Sequence, residues 1–218
     1  GDYKAYDKDM SPLESEAAFD VIVALCEASG NFNEDEIKCI RGIAEDLCYP
    51  VVDYNGDLVT LHGSNPSGHP LTVIINCIVG SLRMRYTYYM LNPNKEVLSF
   101  RKNVKLMTYG DDNILSVKEG CDWYNHTTIA QAFQRLGIEY TMADKEAESV
   151  PYIHIADATF LKRSWKWDTT LQCNVAPLDH DSIEKMLMVW NVSKSITKEA
   201  QCMAVIASAM SEYFFYGQ

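Results

Sequence analysis

The chain has 218 residues, of which 47% are hydrophobic and 22% charged, values typical of a globular protein that can bury a sizeable core. No apolar run approaches the roughly 20 residues of a membrane span, no signal peptide opens the chain, and seven scattered cysteines indicate free thiols in a reducing compartment. The net charge of −11 argues by itself against a polynucleotide-binding surface, and fits a carboxylate-rich metal site or a fragment whose basic portion is absent.

The chain opens with the pattern of a strand end and the loop after it. This stretch carries two acids, Asp2 and Asp7, on either side of a tyrosine pair. A helix is predicted next, because Ser11 and Glu14 match a capping box and a proline stands between them at the first helical position.

Asn33, followed by three acids, predicts a second helix. Asn55-Gly56 then predicts a β-hairpin over residues 51–61. The acids around this turn resemble a calcium-binding loop, but the glycine falls at the fourth position and Ser64 stands where the loop needs glutamate. An EF-hand is therefore rejected.

A loop dense in turn-forming residues, 63–70, leads into a long apolar helix predicted from Leu71 to about Leu91. Thr72 and Asn76 lie four residues apart on one face at the start of this helix. Taken alone, these polar side chains are either hydrogen-bonded core groups or part of a site.

The stretch 104–117 alternates apolar and polar residues on both sides of Tyr109-Gly110-Asp111-Asp112. This pattern predicts a tight β-hairpin with two carboxylates at its tip. Adjacent carboxylates repel one another, and a cation is the simplest way to stabilise them when they are held together. An isolated Asp-Asp pair is more often an ordinary solvated turn, so the neighbouring motifs decide between the two interpretations.

The type of predicted secondary structure changes at Pro177, after which only helices are predicted. We place a domain boundary there. The elements predicted after the hairpin are a helix at 127–136, strands at 138–142, 158–165 and 171–175, and helices at 181–190 and 197–215.

Two carboxylates from separate strands, Asp2 and Asp111, can bridge two Mg²⁺ ions roughly 3.5–4 Å apart, the arrangement used for in-line displacement at phosphorus. Mg²⁺ prefers a few carboxylates together with water and substrate phosphates. Few histidines and no Cys/His ligand spacing count against zinc.

Five motifs, taken together and in order, resemble the palm domain of RNA-dependent RNA polymerases from picorna-like positive-strand RNA viruses, including insect-infecting members. They are Asp2-x4-Asp7 (motif A), Ser67-Gly68-x3-Thr72-x3-Asn76 (motif B), Tyr109-Gly110-Asp111-Asp112 (motif C), Ala143-Asp144-Lys145 (motif D) and Phe160-Leu161-Lys162-Arg163 (motif E). An isolated Gly-Asp-Asp is weak evidence, whereas five motifs in this order leave little room for chance.

The resemblance implies template-directed RNA synthesis with two Mg²⁺ or Mn²⁺ ions. It implies metal ligation by Asp2 and Asp111, with Asp112 close by, and general-acid catalysis by Lys145. It further implies a nucleotide-binding set that reads the ribose 2′-hydroxyl, and a pair that holds the primer backbone. The nucleotide-binding set is Asp7, Ser67, Gly68, Thr72 and Asn76, and the RNA-binding pair is Lys162 and Arg163.

The implied architecture is α+β: an antiparallel-sheet palm of RRM or ferredoxin-like type, with helices on one face, over residues 1–177. Residues 31–66 form a fingers-like insertion and residues 178–218 begin a helical thumb. The N-terminal fingers are absent, so the chain alone is expected to polymerise poorly. The implied partners are RNA template and primer, NTPs and the remainder of the polymerase, in a replication complex in the host-cell cytoplasm.

Two alternatives stay open. A reverse-transcriptase palm shares the metal-binding acids, but it usually has a bulky aromatic residue in place of Asp7 and lacks the Ser-Gly…Thr…Asn set. A non-catalytic acidic α/β interaction module is the other, and it requires no close approach of Asp2 to Asp111.

Overall fold

The computed structural model describes residues 1–6, 8–65, 68–144 and 147–217. The chain divides into two compact units, Gly1–Pro151 and Tyr152–Gln218. Helices and short antiparallel strand pairs occur in both, which confirms the predicted α+β class. Among the helices of the described ranges, none has both the length and the hydropathy to cross a membrane.

The first unit contains five helices and six strands within its described residues. The helices are α1 (Pro12–Ser29), α2 (Glu34–Cys48), α3 (Thr72–Leu91), α4 (Phe100–Asn103) and α5 (His126–Arg135). The strands are β1 (Asp2–Tyr3), β2 (Val51–Tyr54), β3 (Asp57–Thr60), β4 (Val104–Tyr109), β5 (Asp112–Val117) and β6 (Tyr140–Thr141).

Local sequence signals set the starts of α1 and α2. The Ser11 hydroxyl accepts a hydrogen bond from the Glu14 backbone N–H, and the Glu14 carboxylate accepts one from the Ser11 N–H at 2.9 Å, so the predicted capping box is confirmed. Asn33 and Glu36 form the same reciprocal pair at α2. Each box satisfies backbone N–H groups that the first turn of a helix leaves without partners.

The long helix α3 forms the centre of the first unit, where it packs against α1, α5 and β4. A largely apolar helix is stabilised by burial, and α3 buries one face in the core while Val73, Ile74, Tyr86 and Tyr89 stay exposed. Its fully buried apolar side chains are Ile75, Val79, Met84 and Tyr88.

Arg83 places a charge inside this apolar helix. Its side chain is 4% exposed, and its Nε and Nη2 donate to the two carboxylate oxygens of Glu14 at 2.5 and 2.9 Å. Nη2 also donates to the carbonyl oxygen of Asp9, and the guanidinium lies 4.8 Å from the ring centroid of Tyr6. Burial raises the pKa of Glu14, but the hydrogen bonds and charge of Arg83 outweigh burial and hold this pKa below its usual value. The pair thus joins α1, α3 and the loop after β1.

The strands pair two by two. The longest ladder joins β4 to β5, from Val104 opposite Val117 to Tyr109 opposite Asp112, and confirms the predicted hairpin. Asp2 of β1 lies opposite Thr141 of β6, also antiparallel. β2 and β3 form the predicted hairpin around Asn55-Gly56.

The second unit contains β7 (Lys166–Asp168), β8 (Cys173–Val175), α6 (His180–Met188), α7 (Lys198–Tyr213) and a 3-10 turn (Phe214–Tyr216). The predicted strand at 158–165 is wrong. Leu161 and Lys162 both have positive φ, at 54° and 58°, so the chain reverses and Phe160 bridges back to Arg163. Strand pairing begins only at Lys166. The boundary predicted near residue 177 falls inside this unit, and the division into palm and thumb stays a prediction.

Candidate active site

The tip of the β4–β5 hairpin carries the two neighbouring acids. Tyr109 pairs with Asp112, which leaves Gly110 and Asp111 as a two-residue loop. Gly110 has φ +62°. A positive φ at the first of two loop residues is the requirement of a type II′ hairpin turn, and glycine meets it without steric cost.

Cys77 on α3 contacts this turn and holds it by hydrogen bonds. All seven cysteines are free, as the sequence predicts. The Gly110 N–H donates to Cys77 Sγ at 3.2 Å, and the thiol approaches the Thr108 carbonyl oxygen at 3.6 Å. The Thr108 hydroxyl in turn donates to the Cys77 carbonyl oxygen at 3.2 Å. Sequence reasoning missed Cys77, because its spacing is that of any apolar residue of the helix.

Asn113 joins the hairpin to β1 and β6. It is 6% exposed, its Oδ1 accepts from the Tyr140 hydroxyl at 2.7 Å, and its Nδ2 reaches the Asp111 carbonyl oxygen at 3.5 Å. The Gly1 nitrogen donates to the Asn113 carbonyl oxygen at 3.4 Å. The available signal was a polar residue inside an apolar alternation directly after the acid pair. As a result, the start of β1 lies beside the start of β5.

The acids contribute to the electrostatics of two neighbouring groups, the Gly1 amino group and the Tyr6 hydroxyl. Burial lowers the pKa of the Gly1 amino group, while the carboxylates of Asp2 and Asp112 both oppose this shift, so both lie near the same nitrogen. Burial is also the main reason that the pKa of Tyr6 is raised, and Asp111 is one of the charges that add to the rise.

The loop before α3 is held tightly by backbone contacts. Gly63 has φ +87°, and a Cβ at this position would lie 2.4 Å from the Met10 carbonyl oxygen. Ser64 N–H donates to that oxygen at 2.8 Å. Only glycine fits here, and the loop is thereby fastened to the segment that precedes α1.

A chain of side-chain hydrogen bonds continues from this loop to Asn76. Asn65 is 4% exposed, and its Nδ2 donates to the Thr72 carbonyl oxygen at 3.2 Å and to Asn76 Oδ1 at 2.6 Å. His69 Nε2 lies 2.7 Å from Asn65 Oδ1. The Tyr6 hydroxyl donates to the Asn76 carbonyl oxygen at 2.8 Å, which connects the loop after β1 to α3. Sequence reasoning found Thr72 and Asn76 but missed Asn65 and His69.

The other residues predicted from the sequence for nucleotide binding, RNA binding and catalysis lie in different parts of the chain. Gly68 is described, with φ +112°, a backbone conformation that side chains rarely adopt. Arg163 lies in the second unit and makes a two-pronged ion pair with Glu212, at 2.9 and 2.6 Å. Lys162 is exposed on the preceding turn. Three predicted residues lie outside the described residues: Asp7, Ser67 and Lys145.

The carboxylates of Asp2, Asp111 and Asp112 are the type of oxygen ligand that a divalent cation prefers. The strand that carries Asp2 lies beside the hairpin that carries Asp111 and Asp112, and Mg²⁺ needs only one or two protein carboxylates when water and phosphate complete its shell. Within the described ranges, no group of three or more His, Cys, Asp or Glu side chains is arranged as a complete metal site.

A model of the viral RNA-dependent RNA polymerase family matches residues 1–217. The chain belongs to this family.

Relatives of this viral polymerase chain are found in viral polyproteins. It is 32% identical to the replicase polyprotein of Cricket paralysis virus over 83% of the chain, and 32% identical to that of Drosophila C virus over 86%. The genome polyprotein of human hepatitis A virus is 26% identical over 99% of the chain. The chain spans about a tenth of the length of these relatives, with 10%, 11% and 9% of each covered. The resemblance to picorna-like polymerases is confirmed.

Proposed function

We propose that this chain carries the nucleotidyl-transfer centre of a polymerase that adds NTPs to the 3′-hydroxyl of an RNA primer on an RNA template. The observation that carries the proposal is that β1, which contains Asp2, lies beside β5, where Asp112 follows the turn that holds Asp111. Membership of the viral polymerase family and the replicase names of the relatives support it.

In this proposal Asp2 and Asp111 hold two divalent cations, and Asp112 assists from the next position. Bound Mg²⁺ supplies positive charge that lowers the pKa of the primer hydroxyl and balances the charge of the leaving pyrophosphate. The chain keeps the carboxylates in place through β1–β6 pairing on one side and through Cys77 and Asn113 on the other. Rigid placement matters because two-metal chemistry depends on the position of the reacting oxygens.

Thr72 and Asn76, with Asp7, Ser67 and Gly68, read the ribose 2′-hydroxyl of the incoming NTP. A buried polar site of this kind rejects a deoxynucleotide because its groups lose a partner. Lys145 donates a proton to the leaving pyrophosphate. Lys162 and Arg163 contact the primer backbone, with Arg163 placed by its ion pair to Glu212.

We extend the proposal to the architecture. Residues 1–177 are a palm with an antiparallel-sheet core and a fingers-like insertion at 31–66, and residues 178–218 begin a thumb. The partners are RNA, NTPs and the rest of the polymerase, and the setting is a viral replication complex in the host-cell cytoplasm. Antiparallel pairing of β1 with β6 and of β4 with β5, next to α3 and α5, supports the palm assignment.

The test is primer extension by the complete polymerase that contains this chain, with Mg²⁺ or Mn²⁺ and a primed RNA template. Asp2→Asn and Asp111→Asn are compared with Asp46→Asn, a matched substitution at an exposed position of α2. We expect the first two to lower the rate by about 1,000-fold, which corresponds to about 4 kcal/mol in the barrier. Asp112→Asn should have a smaller effect, and Asp46→Asn none.

Retention of at least a tenth of the wild-type rate by Asp111→Asn would contradict the proposal and favour the non-catalytic module. Extension with dNTPs in preference to NTPs would favour the reverse-transcriptase alternative. The 218-residue chain, assayed in parallel, tests the expectation that it is weakly active by itself.

A further inference from the structure

The hydrogen bonds around Asn65 have a direction that can be followed atom by atom. The Leu71 backbone N–H donates to His69 Nδ1 at 3.3 Å, so this nitrogen carries a lone pair. In a neutral imidazole the other nitrogen then carries the proton. His69 Nε2–H therefore donates to Asn65 Oδ1 at 2.7 Å.

The same logic fixes both asparagine amides. Because Asn65 Oδ1 is the acceptor, its NH₂ group faces the Thr72 carbonyl oxygen and the Asn76 side chain. Reversal of Asn65 would place its NH₂ against the His69 N–H and its oxygen against the Thr72 carbonyl, two repulsive contacts. Asn76 must then present its oxygen to Asn65, which turns its own NH₂ group away from the loop.

Burial makes this arrangement rigid. Asn65 is almost completely enclosed, and a buried amide that loses its partners costs the full desolvation of its polar groups. The backbone of Asn76 is held independently by the Tyr6 hydroxyl. Burial also lowers the pKa of His69, which favours the neutral ring that the bonds require.

We propose that Asn65 and His69 are positioning residues that orient the Asn76 amide, so that Asn76 presents a hydrogen-bond donor to the 2′-oxygen of the incoming ribonucleotide. The inference rests on the proposed function and deepens it. A hydroxyl has one proton, and an acidic side chain such as Asp7 can only accept it. A neighbouring amide contributes to recognition only if it donates to the hydroxyl oxygen. The relay from Leu71 through His69 and Asn65 enforces that orientation.

The decisive variant is Asn65→Asp in the complete polymerase. The substitution keeps the shape of the side chain but replaces the NH₂ group by an acceptor, so the Asn76 amide reverses. We expect the ratio of kcat/KM for NTP over dNTP to fall about tenfold, mostly through slower NTP incorporation. In an Asn76→Leu background, Asn65→Asp should cause no further fall in this ratio.

Asn92→Asp is the matched control. Asn92 is 3% exposed, and its Nδ2 likewise donates to a backbone oxygen and a side-chain oxygen, both of Glu96, at 2.8 and 3.0 Å. It lies at the other end of α3, so we expect a loss of stability with an unchanged NTP/dNTP ratio. If Asn65→Asp does not fold, His69→Leu should lower the ratio a few-fold in the same direction.

A ratio within twofold of wild type in Asn65→Asp, or in the His69→Leu substitute, would overturn the inference. So would an unchanged ratio in Asn76→Leu, since the relay acts through that residue. Both results leave the proposed function standing as long as Asp111→Asn abolishes extension, and activity of Asp111→Asn would remove the proposed function itself. As an independent readout, nitrogen NMR of His69 should show the Nε2–H tautomer in the wild-type protein.

Discussion

Two neighbouring segments of the first unit hold their polar residues in different ways. In the loop–helix segment, residues 63–76, side chains orient other side chains, from His69 through Asn65 to Asn76. In the hairpin tip, residues 109–113, the turn is held by backbone groups, a thiol and one buried amide. The two arrangements suit different kinds of functional group.

A carboxylate presents acceptors on both oxygens, so it needs only to be in the right place. An amide has a donor end and an acceptor end of nearly the same shape, so it must also face the right way. The hairpin turn satisfies the first need with local backbone geometry, and the relay satisfies the second with a sequence of directed hydrogen bonds. Damage to the tip should therefore affect the rate for all substrates, and damage to the relay should affect the choice between them.

The largest effect is expected from Arg83→Met, because Arg83 joins α1, α3 and the loop after β1, on which the packing of the first unit depends. The substitution leaves the partly buried Glu14 without its partner, and such a change typically costs about 3–5 kcal/mol. Arg41→Met is the control: Arg41 is 55% exposed and lies 3.7 Å from its acidic partners, so less than about 1 kcal/mol is expected. Urea unfolding of the two variants measures the difference, and equal losses would refute a supporting role for Arg83.

An intermediate effect is expected from Gly110→Ala at the tip. Its φ of +62° makes any side chain unfavourable by about 1–2 kcal/mol, although the space beside it is open. Gly137→Ala is matched, with φ +77° and open space, and should cost about the same in unfolding free energy.

The two glycine variants should differ in catalysis. A displaced Asp111 should slow Gly110→Ala about tenfold with NTP and dNTP alike, because small misplacement of catalytic groups is costly. Gly137→Ala should extend primers normally. A change of NTP/dNTP preference in Gly110→Ala, with no change in rate, would undo the distinction between the two segments.

The smallest effect is expected from protonation of His69, in the loop before α3, as the pH falls. Burial lowers the pKa of His69 below its ordinary value of 6.5, so the unfolded chain binds the proton more readily than the folded one. The contribution of neutral His69 to the free energy of unfolding is therefore complete above pH 6.5. It declines as the pH falls from 6.5 through the lower pKa of the folded state.

Protonation also places a proton on Nδ1, where Leu71 N–H must donate. We therefore expect the NTP/dNTP ratio to decline from pH 7.5 to pH 5.5 in the wild type and to stay flat in His69→Leu. A pH dependence of the extension rate that is the same for NTP and dNTP reflects the hairpin tip instead. An identical pH profile of the ratio in both proteins would show that His69 does not act in the relay.

The sequence predicted what depends on nearby residues. The capping box of α1, the start of α2 at Asn33, the turn at Asn55-Gly56 and the hairpin around Gly110 and Asp111 all follow from chemistry within a few positions. The strand predicted at 158–165 failed because its alternating pattern does not reveal that Leu161 and Lys162 adopt positive φ. A pattern of side chains predicts which face is apolar, but not where a non-glycine backbone reverses.

By itself, then, the sequence determined the family motifs, the longer helices, the two hairpins of the first unit and the identity of the acids at the tip. Only the tertiary structure decided what supports them. Cys77 meets Gly110 from 33 positions away and Tyr140 meets Asn113 from 27 positions away. Contacts at such separations depend on how elements pack, because any polar residue at these positions has the same local pattern. The direction of the Asn76 amide is the clearest case, since it depends on the partners of a neighbour rather than on Asn76 itself.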